Sequence, residues 1–95
     1  MDYLERFPQM ATFFSIYFGQ DFDIFGDTVE EIVLSYKDDH RDHYLELIRE
    51  IEQFRSEHPH DLDVAYTPFS RGFRPEGRGY TIASFLQEIL RILRA

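Results

Sequence analysis

The chain has 95 residues, 43% of them hydrophobic and 29% charged, a length that accommodates one domain with one core and excludes a second folded unit. Ten Phe and six Tyr exclude a disordered acidic chain, and the lack of cysteine excludes disulfides, thiolate nucleophiles and Cys-ligated metal centres. The formal charge of -8 is uneven, with sixteen Asp and Glu against five Lys and Arg through Asp63 but two acids against five Arg beyond it. Such a surface opposes phosphate backbones, so no direct nucleic-acid binding is expected, and a cationic partner is its complement.

In chain order, Asp2 and Glu5 stand where a secretory signal would be basic. The most apolar run, Met10 to Phe18, is broken by Thr12 and Ser15 and is far shorter than the roughly 18 residues of a membrane span. A soluble cytoplasmic protein is expected, with no membrane partner. Pro8 suits a first helical turn, and Met10, Phe13, Phe14 and Tyr17 follow helical spacing up to a stop at Gly19. A second helix is expected from Asp27 or Thr28, with Thr28 and Glu31 as a capping box and Val29, Ile32, Val33 and Tyr36 facing inward. Glu30 and Glu31 there favour the positive end of the helix dipole.

A third helix is expected from about His40 to Glu57, with Tyr44, Leu47, Ile48, Ile51 and Phe54 or Arg55 on one stripe, ended by His58, Pro59 and His60. Residues 61–67 alternate like a strand at Leu62, Val64 and Tyr66, but a lone short strand lacks a pairing partner, and an irregular or short helical bridge is expected. The following Arg/Gly stretch, Phe69 to Gly79, has no apolar period and reads as a mobile surface connection. Thr81 caps the last helix, which buries Ile82, Phe85, Leu86, Ile89 and Leu93 and places Arg91 and Arg94 near its negative end. The expected fold is all-α: a compact single domain over residues 1–95, a bundle of about four helices with an Arg/Gly-rich loop before the last.

Four constellations are candidates for chemistry. Asp21, Asp23, Gly26 and Asp27 imitate the opening of an EF-hand loop, but the fifth and twelfth ligand positions fall on Phe25 and Ile32, which cannot ligate calcium. His40 and His43 lie among Asp38, Asp39 and Asp42 without a metal-binding motif, and a solvated helix start accounts for them. His58, His60, Asp61 and Asp63 would ligate a metal only if their loop folded back on itself. Arg71, Arg74 and Arg78 form the one basic patch and do not make a phosphate loop. No catalytic residue, metal or cofactor is expected. The alternatives are a His-dependent or metal-dependent hydrolase using His40, His43, His58 or His60, and an acidic adaptor for another basic protein.

The string Phe7-Pro8-Gln9-Met10, Tyr17-Phe18, Gln20-Asp21-Phe22-Asp23 and Gly26-Asp27-Thr28 with Glu30-Glu31 resembles the CdiI immunity proteins of bacterial contact-dependent growth inhibition. Ala65-Tyr66 before Pro68, and Gly79-Tyr80-Thr81 before Phe85-Leu86, echo that family's C-terminal segment, with Phe85 where a Trp is common and the Arg/Gly loop resembling an insertion. The resemblance implies a small, mainly helical cytosolic protein that binds the C-terminal toxin domain of a CdiA-type exoprotein without catalysis. It does not identify the toxin. Within the motif, Phe18, Phe22 and Phe25 are expected to pack beneath the turn, while Asp21, Asp23 and Asp27 fix its backbone. The toxin contact is expected on the exposed acids Glu30, Glu31, Asp38, Asp39 and Asp42 and on Arg71, Arg74 and Arg78, with the protein itself a monomer.

Overall fold

Six helices form in the computed structural model, which describes residues 3–95: α1 (Tyr3–Arg6), α2 (Pro8–Ile16), α3 (Val29–Asp39), α4 (Tyr44–Glu57), α5 (Leu62–Tyr66) and α6 (Ile82–Arg94). No strand occurs among the described residues, and none of their helices is long and apolar enough to cross a membrane. The four longer helices are those the apolar stripes predict. α1 and α5 raise the count to six, because four or five residues complete too few turns for a stripe to show. The 61–67 bridge is thus helical, and α5 runs directly into a 3₁₀ turn at Thr67–Phe69.

Local chemistry sets the boundaries. Thr28 Oγ1 accepts the Glu31 N–H at 3.1 Å, and Glu31 Oε1 accepts the Asp27 and Thr28 N–H groups at 2.7 and 3.3 Å, closing the expected box. Thr81 and Ser84 make the same reciprocal pair at the start of α6. α4 begins at Tyr44 and not at His40. The α3 helix runs on to Asp39, and the His40 carbonyl then accepts both the His43 and Tyr44 N–H groups in a tight turn. The polar run that reads as a helix start is therefore the corner between two helices.

α6 lies at the centre. It buries Ile82, Phe85, Leu86, Ile89, Leu90, Ile92 and Leu93 and packs against α3, α4 and α5, so its apolar surface is wider than one stripe. Against it stands an aromatic cluster in which Phe18 meets Phe85 edge-on at 5.2 Å, Phe14 meets Tyr66 at 5.3 Å and Phe13 meets Tyr36 at 4.8 Å. Such tilted pairs add about 0.5–1.5 kcal/mol each beyond the area they bury.

The Arg/Gly stretch is corrected by the structure. Instead of a loose connection it holds Phe69, Phe73 and Pro75 buried, forms a 3₁₀ turn at Pro75–Arg78, and donates the Phe73 N–H to the Phe18 carbonyl at 3.2 Å. Two phenylalanines spaced across a turn carry no periodic signal, yet both reach the core.

Candidate functional site

The motif residues build a braced turn between α2 and α3. Phe7 is buried edge-on against Phe54 at 5.4 Å, Pro8 opens α2, Gln9 is half-buried, and the Met10 N–H donates to Glu50. Burial raises the Glu50 carboxyl above its ordinary range, and that backbone bond opposes the shift. Tyr17 and Phe18 are buried as expected. Gly19 and the exposed Gln20 lead into a 3₁₀ turn at Phe22–Ile24. Phe22 and Phe25 are half-buried, with Phe25 4.4 Å from the Tyr17 ring and Phe22 5.1 Å from Phe73. Gly26 lies so close to Glu31 that a β-carbon would stand 2.5 Å from the Glu31 Cβ.

The carboxylates of Asp21, Asp23 and Asp27 do not fix this turn, contrary to expectation: among the described residues none of them has a side-chain partner. Its backbone is held by Glu31, through the Asp27 N–H, and by Arg78, whose Nη1 donates to the Asp27 carbonyl at 2.6 Å. The same guanidinium lies over the rings of Phe22 and Phe73, 5.3 and 5.1 Å from their centroids. Motif turn and Arg/Gly loop are thus one unit. Arg71 and Arg74 remain exposed without a partner among the described residues, so the three arginines have different roles.

The five acids also divide. Glu31 is the cap, and Asp39 accepts the Tyr17 hydroxyl at 2.7 Å. Burial, followed by that bond, raises the Tyr17 phenol well above its ordinary value. Asp38 pairs with Arg41 at 2.8 Å on an exposed face, and Glu30 lies 3.6 Å from Arg91. Asp42 has no partner among the described residues. Exposed pairs of this kind contribute little to stability, so Glu30, Asp38 and Asp42 remain available to an approaching charge.

Beside them lies a feature outside the apolar stripes. Leu34, Lys37, Asp38, Arg41 and Tyr44 line an open groove of about 590 Å³ where α3 turns into α4. Leu34 is 47% exposed, and it falls outside the stripe of Val29, Ile32, Val33 and Tyr36, which is the sequence signal that could have marked it.

The histidines have separate surroundings. His40 stacks on Tyr36 at 4.5 Å, His43 and His60 are exposed, and His58 is buried against Tyr3 and Phe54 with Nδ1 3.1 Å from Asp61. Among the described residues no three His, Asp or Glu side chains stand together as a metal site would need. A family model described as CdiI immunity protein matches residues 6–93. Comparison with curated proteins and with solved structures gives no match.

Proposed function

Because the chain belongs to the CdiI immunity protein family, we propose that it binds and neutralises the C-terminal toxin domain of a contact-dependent growth inhibition exoprotein, by protein–protein binding without catalysis, in the cytoplasm of the producing cell. The family match over residues 6–93 carries this reading. Charge supports a particular class of toxin. A nuclease must present a cationic channel to hold phosphates, and a chain of net charge -8 docks there by long-range steering and by pairing carboxylates with those cations. Glu30, Asp38 and Asp42 supply such carboxylates without loss to the fold, and Arg71 and Arg74 influence which toxin is accepted.

Co-expression with the toxin domain encoded immediately upstream tests the reading. Cells carrying both are expected to grow, and survival no better than with an empty vector overturns it for that pair. Pull-down from cells lacking the toxin separates this function from an acidic adaptor. Recovery of a stoichiometric basic host protein would favour the adaptor.

A further inference from the structure

We infer that the groove at the α3–α4 corner is the docking surface for the toxin, and that it receives an apolar side chain projecting from a cationic face. The inference rests on the immunity function proposed above and names the surface that carries it. Leu34, Lys37 and Asp38 recur at helical spacing on the side of α3 turned away from its buried stripe, and Arg41 in the following turn and Tyr44 at the start of α4 complete the lining. An exposed leucine beside a half-buried tyrosine offers an apolar floor of the kind in which interface anchors seat.

Charge around the groove selects the occupant. Both cations in the wall are engaged within the chain: Arg41 by Asp38 at 2.8 Å, and Lys37 by the Ala95 carbonyl at 2.7 Å and the Tyr44 ring at 5.1 Å. The next acids along the chain are not engaged. Asp42 and Glu46 are exposed and have no partner among the described residues, and between them Leu45 is 56% exposed. The corner therefore presents two unpaired carboxylates beside apolar surface. A second copy of this chain, also at net -8, is repelled, and so is an anionic lipid surface. A basic protein face with one protruding apolar residue satisfies both features.

The exposed Ile24 on the motif turn provides an internal comparison, because it is more exposed than Leu34, at 73%, and is not part of this groove's lining. Binding to the upstream-encoded toxin domain is measured for the wild type, Leu34→Arg, Leu34→Gln, Ile24→Arg and the Asp42→Asn/Glu46→Gln double variant, each checked for helicity and melting temperature. Leu34→Arg, which fills the groove and adds a repelling charge, is expected to weaken binding by about 100-fold, mainly through faster dissociation, and Leu34→Gln by about 10-fold. Ile24→Arg is expected to stay within about threefold of the wild type, and the double variant to slow association at low salt.

Hydrogen exchange on the wild-type complex gives a readout that needs no variant, with protection expected over residues 34–46. A wild type that binds the toxin while both Leu34 variants bind equally well overturns the groove and leaves the immunity function standing. Failure of the wild type to bind overturns both. Sedimentation showing a wild-type dimer that Leu34→Arg dissolves would assign the groove to a second copy and overturn the toxin assignment.

Discussion

At Gly19 a β-carbon would lie 2.4 Å from the Ser15 carbonyl oxygen, a backbone atom that cannot move aside. Gly19→Ala is therefore expected to cost about 1–3 kcal/mol, whereas Gly77→Ala, with nothing within 4 Å of its β-carbon, stays within about 0.5 kcal/mol, both read from urea midpoints. Single side chains also set the pH range. The Arg6 fork, then Gln53, holds Glu57 down to about 2, so the stability it contributes is full above the ordinary glutamate value and is lost as pH falls toward about 2. At the other end burial pushes Tyr36 up to about 12, with Tyr17 and Tyr66 raised for the same leading reason. Unfolded tyrosines ionise near 10 while these resist, so the folded state loses stability as pH rises above about 10. Urea midpoints across pH are expected to fall at both extremes. Arg6→Gln is expected to flatten the acid arm alone, and an unchanged acid arm in that variant would refute the role given to the pair.

Among the helices, Phe14 on α2 shows the energetic weight of the shared core. It is 1% exposed and meets rings from α5, the 67–69 turn and α6, so Phe14→Ala is expected to cost about 3–5 kcal/mol in chemical denaturation. A loss under about 1 kcal/mol would show that the cluster repacks. α2, α3, α4 and α6 were legible in the sequence because each repeats its apolar spacing over two or more turns, and the α3 and α6 starts because Thr28 and Thr81 carry their capping chemistry locally. α1 was hidden by its brevity, and α5 showed only as a bridge that could be irregular or helical. The order of the Arg/Gly stretch is not visible in its own residues, because Phe73 is held by Phe18, Phe22 and Phe85, none of them near it in the chain. Tyr17 and Asp39 pose the same problem for the candidate site. Their bond spans 22 positions, and nothing at either position tells an internal acceptor from a free carboxylate.

For the molecule as a whole, net charge has one effect at a distance and another inside the fold. Neutralising Glu30, Asp38 and Asp42 together is expected to slow association with the toxin several-fold at low ionic strength and flatten its salt dependence, with little change in melting temperature. Adding Glu31→Gln and Asp39→Asn is expected to lower stability as well, because the first loses a carboxylate cap and the second weakens the acceptor for a buried phenol. Stopped-flow association and thermal melts separate the two effects, and an association rate unchanged in the triple variant would exclude this face as the steering surface. The dimensions, 31 × 30 × 22 Å with a radius of gyration of 12.2 Å, place the surface carboxylates of the described residues within a few screening lengths of one another. An approaching cation at low salt therefore meets a summed field.

The Arg78 brace has a consequence for how such a protein can diversify. Its guanidinium holds the Asp27 carbonyl and two rings at once, so exchange at Arg78 or Phe73 would disturb the motif turn together with the loop. Arg71 and Arg74 carry no such duty. The loop therefore sets a bracing arginine within a few residues of two arginines that have no side-chain partner among the described residues. Under the immunity function proposed above, substitutions at 71 and 74 can change the chemistry offered to the upstream-encoded toxin while the brace keeps the turn in register.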